Sequence, residues 1–340
     1  MSVKVLVFDF RETEKKFFGE NKFDNYEIKF YDFSLCEENL DKIPKEDIEN
    51  AFVISVFIES NITPKVIEKF RNLRIISTRS TGYDHICRFE CEKRNITVIN
   101  VQNYGETPVA EFTFALILSL TRKLMQASAS TINGKSQKSF VGRDLKNLTI
   151  GVVGTGAIGA SVCKIANAFS MKIIAYDIKK KQEIVDKYNV NYVDLAQLIM
   201  NSDIITLHLP YTPDNYQMFG EKEFEMMKEN SYFINVSRGE LVDLQYLKEN
   251  IDRGKILGAG LDVVACEAAD DCEKFNNKLK TSSLKCLQNS FLVKQMIKMP
   301  NVIITPHIAY ETEDAINYIL EETFAAITDI IKGGSKNRVI

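Results

Sequence analysis

The sequence predicts an α/β fold with two doubly wound parallel sheets, one in each of two domains. Two observations carry this prediction. Apolar, β-branched runs alternate with helix-compatible segments through the first hundred residues and again from Thr149 to Thr305, and strands alternating with helices build parallel sheets. The second stretch also opens on a strand, a glycine turn, a helix, a strand and an acid. A chain of 340 residues is long enough for two domains.

The opening MSVKVLVFDF is short and apolar, with no small-residue cleavage site after it. It reads as a first strand over 3–8 and not as a signal peptide. Alternation over 27–31 (EIKFY) and the apolar run 52–57 (FVISVF) give two more strands. Pro64 suits the first turn of a helix whose apolar positions are Val66, Ile67 and Phe70. A fourth strand (74–78), the turn Arg79–Tyr83, a helix near 84–93 and a fifth strand at 96–100 follow. After a linker over 101–106, Thr107 is expected to cap a helix with Pro108 as its first residue. That helix runs to Met125 and is apolar almost all round. Interrupted by Glu111 and too short to span a membrane, it should be buried between domains or subunits.

Six strands are expected in the second sheet: 149–153, 172–176, 204–207, 232–236, 256–261 and 302–305. Helices at 156–169, 194–200 (capped by Asp194), 221–228 and 243–252 fall between them. From Cys266 to Met299 the chain is polar, with no clear period before Phe291. This stretch reads as a surface excursion with a short helix at 291–298. A last helix over 312–332 ends at Gly333 and Gly334, and the tail SKNRVI either forms a final strand or is loose.

Composition narrows the function. Apolar residues make up 45% of the chain, which suits a globular core. A net charge of −3 offers no basic surface for nucleic acid, and no apolar run approaches the ~20 residues of a membrane span. Seven scattered cysteines without a C-x-x-C pair read as free thiols in a reducing cytoplasm. Cys87 and Cys91 have only His85 near them, too little for zinc, so no metal is expected. His85, His208 and His307 are the whole list of histidines for acid–base work near neutral pH.

The stretch IGVVGTGAIG (150–159) places Gly154, Gly156 and Gly159 in the spacing G-x-G-x-x-G between a strand and a helix. Gly154 permits the tight turn, Gly156 lets backbone approach a pyrophosphate, and Gly159 lets helix and strand pack closely. The helix N-terminus offers unpaired N–H groups and a partial positive charge to the phosphates. Asp177, after the next strand, would accept hydrogen bonds from ribose hydroxyls and repel a 2′-phosphate, favouring NAD over NADP. Lys179, Lys180 and Lys181 blunt that preference or simply form a solvated loop.

Ligands of doubly wound sheets bind beyond the C-terminal ends of strands. Three groups follow strand ends of the second sheet: Arg238, the acids Asp262 and Glu267, and His307. An Arg clamps a carboxylate through two parallel hydrogen bonds. A His gives a proton to a ketone oxygen as hydride arrives, and a nearby Glu orients the imidazole and raises its pKa. Singly, Arg238 could be a turn residue, Glu267 an exposed acid, and His307 a loop residue with one backbone hydrogen bond. Together they perform 2-oxo-acid reduction.

The stretches NVSRG (235–239), LDVVACE (261–267) and TPHIA (305–309) resemble the three signatures of the D-isomer-specific 2-hydroxyacid dehydrogenases. GVVGTGAIG, TLHLP (206–210) and STGYDHI (80–86) are similar to the rest of that family's pattern, nearly end to end. The long excursion after Glu267 is similar to the D-lactate dehydrogenase branch. The resemblance implies a flavodoxin-like substrate-binding domain built from 1–103 and 306–340, and a Rossmann NAD domain over 104–305. It also implies a homodimer through the NAD domain and closure of a cleft around substrate. By residue, it implies that Arg238 binds the substrate carboxylate and that Glu267 pairs with the catalytic His307. Backbone around Thr81, Gly82 and Tyr83 holds the carboxylate, and Tyr104 and Tyr310 line the pocket. Asp262 meets the nicotinamide amide, while Ala157, Ile158, His208, Pro210, Val236 and Ser237 lie along the cofactor.

The expected activity is therefore reduction of pyruvate to D-lactate by NADH, with His307 as proton donor. A bulkier branched or aromatic 2-oxo acid is the alternative substrate. An NAD(H)-sensing binding protein on the same fold is the reading from another class, and phosphite oxidation a more distant one.

Overall fold

The computed structural model describes residues 2–21, 23–134, 139–265 and 284–340. Two compact units divide the chain: Met1–Tyr104 with Glu311–Ile340, and Gly105–Tyr310. The first unit begins with β1 (Val3–Val7), α1 (Lys15–Glu20), β2 (Tyr26–Phe30), α2 (Lys45–Asn50) and β3 (Val53–Val56). It continues with α3 (Pro64–Lys69), β4 (Ile75–Thr78), α4 (Arg88–Lys93) and β5 (Thr97–Ile99). All five strands are parallel, in the order β2-β1-β3-β4-β5. Every residue of β3 and β4 is buried, as expected of a sheet covered on both faces. The helices α1 and α2, six residues each, escape sequence reading because so short a segment carries no legible period.

In the second unit, α5 (Glu106–Thr121) and α6 (Leu124–Ile132) precede β6 (Thr149–Val153), α7 (Ala157–Ala168), β7 (Lys172–Tyr176) and α8 (Gln182–Tyr188). Next come β8 (Asn191–Tyr192), α9 (Leu195–Asn201), β9 (Ile204–Leu207), α10 (Glu221–Met226) and β10 (Ser231–Asn235). The unit ends with α11 (Leu244–Asp252), β11 (Ile256–Leu261), α12 (Leu284–Met296) and β12 (Val302–Ile304). Its parallel sheet has seven strands, β12-β11-β10-β9-β6-β7-β8, so the chain reverses direction across the sheet between β6 and β9. The seventh strand, β8, departs from the six expected. The chain then returns to the first unit as α13 (Glu313–Ile331), whose Leu320, Phe324 and Ile327 cover Val5, Val7, Val53 and Ile75.

Further details sharpen or correct the sequence reading. The long apolar helix starts at Glu106 with Gly105 as its N-cap, which puts Pro108 inside the first turn, where its missing N–H costs nothing. It also breaks at Lys123, which is left-handed (φ +52), and the Thr121 carbonyl is taken instead by the Arg143 N–H at 3.0 Å. The C-terminal tail runs antiparallel beside β5, with an Ile99–Arg338 bridge and a bond of 2.9 Å from the Val339 N–H to Val98. The helix expected at 291–298 begins at Leu284, and of the expected excursion over 266–299, residues 266–283 lie outside the described residues. Cys36, Cys87, Cys91 and Cys163 are free thiols, whereas Cys286 is disulfide-bonded. Among the described residues, no helix is long and apolar enough to cross a membrane.

A buried ion cluster ties α2 to the sheet of the first unit. Asp47, buried, meets the Lys4 ammonium at 2.6 Å, the Lys29 ammonium at 2.9 Å and the Tyr31 hydroxyl at 2.7 Å. Burial alone would raise its pKa, but hydrogen bonds from Lys4, Lys29 and Tyr31 outweigh it and hold the carboxyl at about 2. A folded-state pKa below the unfolded value contributes stability that is present at neutral pH and lost as pH falls toward the folded value. The stability gap between wild type and Asp47→Asn, on the order of 1–2 kcal/mol at neutral pH, should therefore close between about pH 4 and pH 2. Urea midpoints measured at successive pH values check this, and a gap that persists unchanged to pH 2 would rule the ion cluster out as its source.

Candidate active site

Beyond β6, Gly154 adopts φ +93, and a side chain there would strike the His208 carbonyl oxygen at 2.6 Å. A Cβ on Gly159, one turn into α7, would sit 2.0 Å from the Gly154 carbonyl oxygen. Gly156 differs, because nothing in the chain lies within 4 Å of its absent Cβ. Two glycines are thus required by the chain's own packing, and the third opens backbone to outside space. The first-turn N–H groups of α7, around Ala157 and Ile158, have no intrahelical acceptor and lie at the helix's positive end. This cradle fits a pyrophosphate.

Asp177 follows β7. Its Oδ2 accepts from the Thr155 N–H at 2.6 Å and the Thr155 hydroxyl at 3.0 Å, and its Oδ1 from the Lys179 N–H at 2.8 Å. Burial opposes ionisation, but the Lys179 and Thr155 donors and the Lys181 charge outweigh it and hold the carboxyl below its usual range. An ionised acceptor with a free lone pair at this edge fits ribose hydroxyls. At the end of β9, His208 Nε2 lies 2.9 Å from the Thr206 hydroxyl, and its buried Nδ1 has no hydrogen-bond partner among the described residues. Desolvation drops the His208 pKa to about 3, so the ring is neutral at neutral pH. An orphaned ring nitrogen beside the glycine turn also fits a bound dinucleotide. Pro210, two residues on, is exposed.

The ends of β10, β11 and β12 lie side by side, since β11 pairs with both neighbours. The buried Asn235 side chain braces the turn after β10. Its amide donates to the Arg238 carbonyl at 2.8 Å, and its oxygen accepts from the Ser237 N–H at 3.1 Å and the Ser237 hydroxyl at 3.0 Å. Val236 is buried beneath this turn. The half-buried Arg238 guanidinium donates to the Ser237 carbonyl at 2.7 Å and to no other acceptor among the described residues. Gly239 brings the turn onto the next strand's exit, because a Cβ there would be 2.0 Å from the Val264 carbonyl carbon. Glu267, three residues beyond Val264, lies outside the described residues.

Asp262, 1% exposed, organises the loop after β12. Its carboxylate accepts from the Thr305 hydroxyl at 2.6 Å, the Ile308 N–H at 3.0 Å and the Ala309 N–H at 2.8 Å. Its carbonyl accepts from the His307 N–H at 2.9 Å. Desolvation pushes the Asp262 pKa up despite these donors. His307 itself is left-handed (φ +56), a strained conformation for a residue with a Cβ. Its ring meets Tyr310 edge to face at 6.4 Å between centroids.

In the first unit, the turn after β4 is strapped to β5. The Thr81 hydroxyl donates to the Val101 carbonyl at 2.9 Å, and the Asn100 amide donates to the Thr81 carbonyl at 2.8 Å. Among the described residues, the N–H groups of Thr81, Gly82 and Tyr83 donate to nothing, which leaves successive donors for an anion. Arg79, fully buried, anchors the start of this turn to the Phe8 carbonyl at 2.8 Å and to Glu14 at 3.3 Å. Tyr104 closes the unit, half-buried before α5. Sequence reading singled out neither Asn235, whose signal was present within NVSRG, nor the pair Thr155 and Tyr192. The hydroxyls of that pair lie 2.7 Å apart beside Asp177.

Residues 114–309 match the model of the NAD binding domain of D-isomer specific 2-hydroxyacid dehydrogenases. The fold is similar to D-lactate dehydrogenase from Aquifex aeolicus, solved with NAD and lactic acid, at TM-score 0.85 and 32% identity over 98% of both chains. A glyoxylate reductase of Thermococcus litoralis is 32% identical, covering 84% of this chain and 83% of its own length. An aromatic 2-oxoacid reductase of Clostridium sporogenes is 34% identical, covering 84% and 85%.

The glycine geometry separates two roles by experiment. Gly156→Ala should leave the melting temperature unchanged, because its Cβ meets nothing, while weakening NADH binding about tenfold or more. Gly159→Ala should lower the melting temperature instead, because the Gly154 backbone must move. Thermal scans and NADH fluorescence titrations of both variants check this, and equal effects on Tm would refute it.

Proposed function

The chain belongs to the D-isomer-specific 2-hydroxyacid dehydrogenases, and from that premise we propose that it reduces pyruvate to D-lactate with NADH, His307 supplying the proton. The observation that carries this reading is the Asp262-held loop, which places a strained His307 after β12, on the same sheet end as Arg238 after β10, with β11 between them. When bound, the reduced nicotinamide supplies the hydride. Gly154, Gly156, Ala157, Ile158, Gly159 and Asp177 would hold that cofactor, with His208, Pro210, Val236, Ser237 and Asp262 further along it.

Arg238 takes the substrate carboxylate, for which its planar fork suits two parallel hydrogen bonds. We assign the Thr81, Gly82 and Tyr83 N–H groups to the same carboxylate, in keeping with their lack of an acceptor among the described residues. The acid must protonate a ketone oxygen near neutral pH. His208 is excluded from that task by a pKa of about 3, and His85 lies beside Thr78, at 3.2 Å. His307, in the TPHIA stretch that matches the family's pattern, takes the task, and Glu267 takes the role of orienting it and stabilising its protonated form. Tyr104 and Tyr310 take the role of lining the pocket.

Pyruvate is favoured by the similarity to a lactate dehydrogenase along 98% of the chain. The aromatic 2-oxoacid reductase of similar sequence supports a bulkier substrate as the second reading. We also propose a homodimer through the second unit. No residue of α6 is buried within the chain, and Leu124, Met125 and Ile132 are 57%, 56% and 81% exposed, a stripe that an isolated helix gains nothing by displaying.

Three measurements follow from this reading. NADH oxidation with a panel of 2-oxo acids should be fastest with pyruvate; a preference for phenylpyruvate would favour the second reading, and no oxidation with any member would sink both. His307→Gln should lower turnover by roughly 10²–10⁴, whereas a smaller loss would point to another proton donor. Light scattering should give a dimer for wild type and a monomer for Leu124→Glu/Ile132→Glu, and a monomeric wild type would contradict the dimer.

A further inference from the structure

We propose that Tyr192 is a positioning residue for cofactor choice: through Thr155 its hydroxyl pins Asp177 so that only Oδ1 is presented for the ribose. The inference rests on the reading of Asp177 as the ribose acid and deepens it. Four groups form one chain of hydrogen bonds whose direction is fixed by chemistry. The Thr155 hydroxyl has one proton, and it goes to the Asp177 carboxylate, which can only accept, at 3.0 Å. The Tyr192 hydroxyl must therefore donate to Thr155 Oγ1, at 2.7 Å. The Lys181 backbone N–H, which can only donate, completes the chain to the Tyr192 oxygen at 3.1 Å.

The consequence for Asp177 is specific. Oδ2 is occupied twice by Thr155, from its N–H and its hydroxyl. Oδ1 receives the Lys179 N–H alone and keeps an acceptor position. Thr155 is fully buried, so no water can replace Tyr192 as donor to it at low cost. The same phenol anchors the lysine loop through the Lys181 N–H. It thus fixes the anion that repels a 2′-phosphate and, at the same time, the loop of three cations that could attract one.

The fold makes a place for this tyrosine. The two-residue strand β8 pairs Tyr192 with Ala175 of β7, and the Val193 N–H bonds the Ala175 carbonyl at 3.0 Å. This seats the phenol beside the glycine turn, two residues from the end at which Asp177 emerges.

The test is fluorescence titration of the whole chain with NADH and with NADPH, no substrate present. Tyr192→Phe removes only the hydroxyl. It should weaken NADH binding by about 3–10-fold, the scale of one lost hydrogen bond, leave NADPH binding within about twofold, and so reduce discrimination. Thr155→Val should do the same, whereas Thr155→Ser, which keeps the hydroxyl, should retain the wild-type ratio. In an Asp177→Asn background, Tyr192→Phe should change the ratio less than about twofold, because coupled residues are not additive. With saturating NADH, kcat should be unchanged. An undiminished ratio in Tyr192→Phe, or an equal effect with and without Asp177, overturns the proposal and leaves the cofactor reading standing. A wild type that binds neither dinucleotide overturns both.

Discussion

The end of the second unit where β10, β11 and β12 finish depends on one buried carboxyl group, that of Asp262. Asp262 leaves β11 at the point where β12, in register beside it, gives way to the loop 305–309. That loop carries several N–H groups that no strand partner satisfies. Asp262 takes those of Ile308 and Ala309 and the Thr305 hydroxyl. Hydrogen bonds of this kind contribute about 0.5–1.5 kcal/mol each, together enough to hold His307 in a left-handed conformation that costs about 1–3 kcal/mol. The backbone of His307 is therefore set by strand register and a carboxyl group, and not by the loop's own preference.

The cofactor end follows the same logic. The N–H and hydroxyl of the buried Thr155, which would lack partners otherwise, converge on a single acid, Asp177. Close backbone approach does the rest. The contact of Gly159 with Gly154 sets α7 against β6, and the contact of Gly239 with Val264 sets the Arg238 turn against the exit of β11. At both ends a glycine supplies proximity and a carboxylate supplies direction. Gly156, with nothing before it, is the place where the chain leaves room for something other than itself.

Much of this fold is legible in the sequence, because buried parallel strands read as unbroken apolar runs and most here have four or more residues. The ends of β10, β11 and β12, and with them the positions of Arg238, Asp262 and His307, follow from those runs. What escapes is short or long-range. The strand β8 has two residues and no periodicity, so Tyr192 could not be placed beside Asp177. The break at Lys123 depends on Arg143, which arrives from elsewhere in the chain to take the helix's last carbonyl. The bonds of Asp262 to 305–309 cross more than forty residues, a separation at which composition carries no signal. Glu267 is legible by resemblance, and its placement lies outside the described residues.

The central claim is that His307, held by the Asp262 loop, protonates a 2-oxo acid whose hydride arrives on one face. The most direct measurement is chiral analysis of the lactate formed from pyruvate and NADH by the whole chain. The account predicts the D enantiomer alone, with formation lost in His307→Gln. L-lactate, a racemate, or D-lactate formed undiminished by His307→Gln would contradict it.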